Sequence, residues 1–253
     1  MLKTRLIPVL LLIKDGLYKT KQFKNPTYIG DPINCVRIFN EKEVDELIFL
    51  DINATPNHQA PQIDFIKDIA SECFMPFSYG GGIHDLSVAE RILANGSEKI
   101  ILNSILFEDL SLVEEMAKRF GSQSVVASLD VKKRLLGGYT LYSHGSRMPR
   151  KQDLLLFCKD LENAGVGELM ITSIDREGTQ KGCDLSLIKS VVDQTSLPVI
   201  AHGGIGKLQD MGDVVQKSGV SAVAAGSFFV FQGRHNAVLI TYPSQSDLSG
   251  IFG

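Results

Sequence analysis

Two stretches of the 253-residue chain combine glycine with acidic and basic side chains in a pattern suited to binding an anion. Residues 168–179 run from an apolar segment into acids and glycine, and residues 199–207 run from another apolar segment into paired glycines and a lysine. Glycine lets backbone N–H groups approach a ligand closely, and the start of a following helix favours negative charge. We therefore interpret these stretches as half of a phosphate-binding active site.

Similar segments occur earlier in the chain, so the sequence predicts two anion sites. The first anion site consists of Gly81, Gly82, Asn103 and Ser104. The second anion site consists of Gly203, Gly204, Gly226 and Ser227, with Gly178, Thr179 and His202 beside it. Glycines in a single loop could serve only a tight turn, but their recurrence in matching positions favours phosphate binding. A ligand that spans both sites would carry two phosphates.

Residues 14–31 form a connection that is long for a compact domain and that contains four lysines. One interpretation is a mobile basic lid over an anionic substrate, with Lys19 in contact with the ligand. The alternative is a solvated run of surface charge, which we favour for Lys14, Lys21 and Lys24.

Eight short apolar segments, each followed by a turn and a longer segment of helical spacing, position these residues. The segments are 6–13, 46–52, 76–79, 99–102, 125–129, 168–172, 199–201 and 222–225. Nearly continuous apolarity is typical of parallel strands that are covered on both faces. We therefore expect one α/β domain over residues 1–253, a (β/α)8 TIM barrel of two similar halves, with its chemistry at the carboxyl ends of the strands.

Composition excludes several classes of function. The net charge of −3 gives no overall basic field, which argues against a nucleic-acid partner. The apolar run 6–13 is too short to span a bilayer, and no signal-peptide cleavage pattern follows it. The four cysteines are scattered, without the spacing of metal ligands or of a disulfide framework. We expect a cytoplasmic protein with no membrane association, no metal and no cofactor.

Several motifs in combination resemble the cyclase subunit of imidazole glycerol phosphate synthase, the HisF family, from residue 1 to about residue 231. They are Gly30-Asp31-Pro32, Phe49-Leu50-Asp51-Ile52, Gly80-Gly81-Gly82-Ile83-His84-Asp85, Leu129-Asp130-Val131-Lys132, Asp175-Arg176-Glu177-Gly178-Thr179 and Gly203-Gly204-Ile205-Gly206-Lys207. The resemblance implies a glutaminase subunit docked at the amino-terminal face of the barrel. It also implies that ammonia crosses the barrel core to a bisphosphorylated aminoimidazole precursor, which is split and cyclised.

The resemblance further implies a gate of four charges at the amino-terminal end of the barrel. Arg5, Glu46, Lys99 and Glu168 stand at the matching positions, each at the start of a predicted strand. Two acids and two bases so placed can pair, whereas a lone buried ion would cost several kcal/mol. Any one of them alone could be an ordinary surface charge at a strand end.

The family relies on two carboxylates at the mouth of the barrel, because ring closure and carbon–nitrogen cleavage need one group to donate a proton while another accepts it. Asp130 matches one of them, but Leu11 stands at the position of the other. Leucine cannot transfer a proton, and such a group typically contributes about 10²–10⁴-fold to the rate. Asp15 lies nearby in the predicted lid and is not counted as a replacement.

Two further departures lie at the second anion site. Glu177 occurs where the family usually has aspartate, and His202 occurs where it usually has serine. We assign Asp130 and Glu177 as the catalytic residues. His202 could titrate near neutrality and hold a phosphate or move a proton. Alternatively, it is a hydrogen-bonded core residue.

The pattern of departures, with residues 5–49 and 231–253, is similar to a divergent branch of the family found in gene clusters for bacterial surface polysaccharide. There the barrel and its glutaminase supply ammonia to an ATP-dependent amidotransferase that forms an acetamidino group on a nucleotide-activated sugar. Three hypotheses follow: an ammonia-conducting subunit in sugar amidination for lipopolysaccharide or O-antigen, a working cyclase in histidine biosynthesis, and a non-catalytic docking protein. The retained phosphate loops argue against the third, and Leu11 argues against the second.

Overall fold

Eight parallel strands form a closed barrel in the computed structural model, which describes residues 4–145, 147–233 and 235–252. Each strand pairs with the next in chain order, the eighth pairs with the first, and the fifth pairs with the sixth. The barrel strands, numbered one to eight, are Arg5–Ile13, Leu47–Asp51, Phe77–Gly80, Lys99–Leu102, Val125–Lys133, Glu168–Ser173, Val199–His202 and Ala222–Ala225. The predicted (β/α)8 barrel is confirmed.

Helices cover the outside of the barrel. They are Pro32–Glu41, Ile63–Glu72, Leu86–Ala94, Leu110–Phe120, Leu154–Asn163, Leu185–Val192, Leu208–Ser218, Ser227–Val230 and Gln245–Phe252, with short 3-10 turns at Ser104–Phe107 and Ser122–Ser124. Aspartates cap several of them: the Asp31 carboxylate accepts the backbone N–H of Asn34 at 2.8 Å, and the Asp85 carboxylate accepts that of Val88 at 2.7 Å. These aspartates of the sequence motifs therefore start helices at the carboxyl ends of strands.

Side chains alternate between the inside of the barrel and the helices, as the period of two in a strand requires. The apolar residues inside the barrel are Ile7, Val9, Leu11, Ile48, Ile101, Val126, Met170, Ile200, Ala222 and Ala224. Two residues before Ile101 is Lys99, and two after it is Asn103. Along this strand the inward-facing positions are therefore charged at the amino-terminal end of the barrel, apolar in the middle and polar at the mouth.

The expectation of an irregular loop over residues 14–31 is wrong. This segment is a β-hairpin, Gly16–Lys21 and Lys24–Gly30, whose first strand continues the sheet by pairing with the end of the first barrel strand. Its turn residues Gln22 and Phe23 have φ of 52° and 61°. Turns with positive φ favour asparagine and glycine, and this turn has neither residue, so the sequence did not indicate it.

The hairpin therefore places its lysines in two different settings. Lys14, Lys21 and Lys24 are exposed, whereas Lys19 is buried. The fifth strand likewise extends four residues beyond its predicted end, because it pairs with the antiparallel strand Tyr139–Ser143. That strand pairs in turn with Met148–Pro149, and a short hairpin, Phe231–Gln232 and Ala237–Val238, follows the eighth strand. Within the described residues, the helices are too short or too polar to cross a bilayer.

Candidate active site

A cavity of about 640 Å³ opens at the carboxyl-terminal mouth of the barrel. The sequence-predicted site residues that line it are Gly81, Gly82, Asn103, Ser104, Asp130, Glu177 and His202. The residues of the second anion site border a separate space of only about 10 Å³, together with Lys19, Glu177, Gly178 and His202. Thr179 borders neither space, and its hydroxyl donates to the Arg176 carbonyl at 2.7 Å.

Asp130 lies in the carboxyl-terminal half of the fifth strand, one residue before its parallel pairing with the sixth strand ends, and is 8% exposed. The Asn103 side-chain amide donates to its carboxylate at 3.2 Å and to the Ser128 carbonyl at 2.9 Å. Burial raises the pKa of Asp130 to about 7, an effect that the Asn103 hydrogen bond opposes and the nearby Glu177 charge reinforces. A carboxyl group with a pKa near neutrality can both donate and accept a proton under ordinary conditions.

We predict that Asp130→Asn changes the pH dependence of stability. The pKa of Asp130 is higher in the folded chain than its unperturbed 3.8. The stability that this group contributes is therefore fully present below pH 4 and is lost as pH rises through about 7. Asparagine removes this loss, so the unfolding free energy of the variant relative to wild type should rise by about 2–3 kcal/mol between pH 5 and pH 8.

Thermal and denaturant unfolding at both pH values measure this difference. Subtracting the unfolding free energy of wild type from that of the variant separates the contribution of Asp130 from those of other groups that titrate in the same pH range. The exposed Asp160→Asn serves as the matched control and should show no such pH dependence. A variant-minus-wild-type difference that is the same at both pH values would contradict the raised pKa.

Leu11 forms part of the apolar wall of the cavity. It is 7% exposed, pairs with Leu50 on the second strand, and belongs to the apolar cluster inside the barrel. Its side chain therefore occupies a place from which a carboxylate could reach a bound ligand. At position 11 this chain therefore offers contact surface and no proton-transfer group.

Glu177 is joined to the first hairpin by its side chain and its backbone. Its carboxylate forms a buried ion pair with Lys19 and lies 3.3 Å from both the Thr20 hydroxyl and the Phe23 backbone nitrogen, which donate to it. The Glu177 carbonyl accepts the Gln22 backbone N–H at 3.0 Å. Since its carboxylate is fully engaged, Glu177 serves as the counter-ion of Lys19 in this conformation.

Of the two alternatives for His202, the structure favours a hydrogen-bonded core residue over a group that titrates near neutrality. Burial, with a smaller effect from the charge of Lys19, lowers its pKa to about 3. One ring nitrogen, Nδ1, lies 3.1 Å from the Thr172 hydroxyl. Burial disfavours the charged form of the ring, so the imidazole stays neutral.

Close packing accounts for part of the glycine pattern. Gly204 has φ of +105°, and a Cβ there would lie 2.2 Å from the carbonyl oxygen of Gly182, whose N–H donates to the Gly204 carbonyl. At the first anion site, Gly82 has φ of +68°, a Cβ there would lie 2.7 Å from the carbonyl oxygen of Gln59, and its N–H donates to the Thr55 hydroxyl at 3.1 Å. These glycines are therefore needed for the backbone to fold, whether or not an anion binds.

The four predicted gate charges meet at the opposite, amino-terminal end of the barrel, and we call them the charged ring. The Arg5 guanidinium donates to Glu46 at 2.7 Å and also to Glu168. The Lys99 ammonium lies 3.2 Å from each of the same two carboxylates. Burial lowers the pKa of Arg5, but hydrogen bonds and charge from Glu168 and Glu46 outweigh it, so the pKa is raised overall. The charged ring is thus a closed, mutually neutralising network.

Sequence reasoning missed several residues of the cavity. Asp51 ends the second strand and lines the cavity, and its carboxylate accepts the N–H groups of Asn53 and Ala54 at 3.0 and 2.9 Å. Burial raises its pKa, while these two bonds lower it. An acid at the end of an apolar strand was the available signal. His144 and Arg147 also line the cavity, and only the fold of the hairpin after the fifth strand brings them there.

The chain is similar to known proteins over nearly its whole length. Residues 5–236 match the model of the family described as histidine biosynthesis protein. The chain is 50% identical over 248 residues, 98% of this chain and 99% of the relative, to "Putative imidazole glycerol phosphate synthase subunit hisF2" of Pseudomonas aeruginosa. It is 44% identical over 248 residues to "Putative imidazole glycerol phosphate synthase subunit hisF3" of Vibrio vulnificus, which covers 98% of this chain and 95% of that relative. It is 36% identical over 230 residues to "Imidazole glycerol phosphate synthase subunit HisF" of Streptococcus mutans, which covers 90% of this chain and 91% of that relative.

Proposed function

Because the chain belongs to the HisF family of imidazole glycerol phosphate synthase cyclase subunits, we propose that it conducts ammonia from a glutaminase partner and binds a phosphorylated ligand at its mouth. The glutaminase docks at the amino-terminal face, where the charged ring lies. Ammonia then crosses the apolar interior of the barrel and emerges beside the ligand. The reaction that consumes the ammonia takes place on a separate, ATP-dependent sugar amidotransferase.

The layered interior of the barrel carries this proposal. A neutralised ring of Arg5, Glu46, Lys99 and Glu168 closes one end, and the next inward layer consists of apolar side chains. Ammonia is small and uncharged, so it enters an apolar interior more readily than ammonium or other hydrated ions do. At the far end the cavity holds Asp130 and no carboxylate at position 11, which supports ammonia delivery over cyclisation.

We predict that Lys99→Ala uncouples glutamine hydrolysis from use of the ammonia. Removing this ammonium leaves Glu46 and Glu168 with Arg5 alone, so the charged ring can no longer stay closed. In the assembly reconstituted with glutaminase and sugar amidotransferase, the ratio of glutamine hydrolysed to amidinated sugar formed should rise several-fold. The control is Lys118→Ala, because Lys118 forms an exposed pair with Glu114. An unchanged ratio for Lys99→Ala would remove the gate assignment.

Sugar amidination for surface polysaccharide, such as lipopolysaccharide or O-antigen, is the pathway that we favour. Two observations support it. Position 11 is leucine, and the chain is 50% and 44% identical to relatives whose printed names end in hisF2 and hisF3. Delivering ammonia to another enzyme does not require the carboxylate that is missing at position 11.

A cyclase of histidine biosynthesis is the second candidate, and Asp130 favours it. Its pKa of about 7 is that of a group able to act as both acid and base during turnover. Conversion of the bisphosphorylated aminoimidazole precursor by the purified chain with saturating ammonium distinguishes the two candidates. This assay needs neither glutaminase nor gate. We expect no turnover, and an ordinary rate would make the cyclase the leading function.

A further inference from the structure

The buried ion pair between Lys19 and Glu177 lies inside the second anion site. Lys19 is 5% exposed and Glu177 is 2% exposed, and both border the same small space as Gly203, Gly204 and Gly226. The Lys19 side chain runs so close to the eighth strand that a Cβ at Gly226 would lie 2.6 Å from its Cε and 3.0 Å from its Nζ. The absence of a side chain at position 226 is therefore what admits the lysine.

This arrangement fills the second anion site with protein atoms. The remaining space of about 10 Å³ has room for about one water molecule at most, so a phosphate could enter only if side chains moved. The cavity of about 640 Å³ instead extends toward the first anion site, where Gly82, Asn103 and Ser104 line it. Arg147 lines the same cavity and adds a positive charge that complements an anion.

The charges at the second anion site also disfavour a phosphate there. At the second anion site the Lys19 ammonium is neutralised by Glu177, and His202 stays uncharged. A phosphate entering there would have to displace the Glu177 carboxylate from its contacts with Lys19, Thr20 and Phe23. The displaced carboxylate would then lie buried near the phosphate and near Asp130, and like charges that close in a buried site repel strongly.

We infer that the ligand of this cavity is a monophosphate, held by its single phosphate at the first anion site, and that Glu177 takes the place of a second phosphate as the counter-ion of Lys19. The inference rests on the proposed function in one respect, the phosphorylated ligand. It narrows the ligand from phosphorylated compounds in general to compounds with a single phosphate. Glu177 is then a specificity-determining residue.

Crystals grown with inorganic phosphate, together with equilibrium dialysis of radiolabelled phosphate, test the inference. Wild type should bind one phosphate, at the loops of the first anion site. Glu177→Gln leaves Lys19 without its counter-ion and should bind two phosphates, one at each site. Glu177→Asp, which shortens the side chain by one methylene and so draws the carboxylate away from Lys19, is the milder variant and should also admit the second phosphate. It keeps the test valid if the glutamine variant does not fold.

The outcomes separate the inference from the proposed function. Phosphate at both sites in wild type would overturn the inference and leave the proposed function intact. A single phosphate in wild type and in both folded Glu177 variants would also overturn it, because Glu177 would not be what excludes the second anion. Phosphate at neither site would overturn the phosphorylated ligand itself. The exposed Glu90→Gln is the matched control and should behave as wild type.

Discussion

Leu11→Asp, made in a Glu177→Asp background, is expected to give the chain cyclase turnover about 10²–10⁴-fold above that of Glu177→Asp alone. The aspartate restores a proton-transfer group to the wall of the cavity opposite Asp130, at a position where the present leucine is 7% exposed and can contact a ligand. The background change is needed because Glu177 fills the space into which the second phosphate of the precursor would fit. The measurement is steady-state conversion of the bisphosphorylated aminoimidazole precursor with saturating ammonium.

Leu11→Asn in the same background is the matched control, since asparagine has nearly the size of aspartate but cannot exchange a proton. It should give no gain, and adding Asp130→Asn to the aspartate variant should abolish the activity. If the aspartate variant binds the precursor but stays inactive, the missing carboxylate is not what separates this chain from a working cyclase. Ordinary turnover by wild type would contradict the premise of the experiment.

Glu46→Gln is expected to destabilise the fold by about 3 kcal/mol. The Glu46 carboxylate accepts hydrogen bonds from Arg5 at 2.7 Å, from Ser78 at 2.9 Å and from Lys99 at 3.2 Å, and glutamine would leave both cations to share Glu168. Breaking a buried ion pair costs about 3–5 kcal/mol. The lower end applies because the side chains of Arg5 and Lys99 are 29% and 18% exposed, so water screens them in part. The melting temperature should fall by about 6–12 °C.

Glu72→Gln is the control for this prediction. Glu72 pairs with Arg37 on the surface, where solvent weakens the interaction, so the melting temperature should change little. Equal shifts for the two variants would mean that the charged ring contributes no more than a surface pair.

Much of the barrel could be predicted from the sequence. Strands that are buried on both faces are nearly continuous runs of Val, Ile and Leu, and this signal is local, so all eight were located within a few residues. The first hairpin could not be located in the same way. Its turn at Gln22 and Phe23 uses positive φ without asparagine or glycine, and its pairing with the first barrel strand is a tertiary contact.

The sequence by itself determined which residues stand at the ends of strands, including Asp130 at the mouth and the ionisable residues of the charged ring at the other end. A period of two along each strand is enough to place side chains inside a barrel. Only the tertiary structure decided how these groups are ionised and paired. Burial moves the pKa of Asp130 to about 7 and that of His202 to about 3, and neither degree of burial is written in the neighbouring sequence. The Lys19–Glu177 pair joins residues 158 positions apart, so only folding reveals that this ion pair lies among the residues of the predicted second anion site.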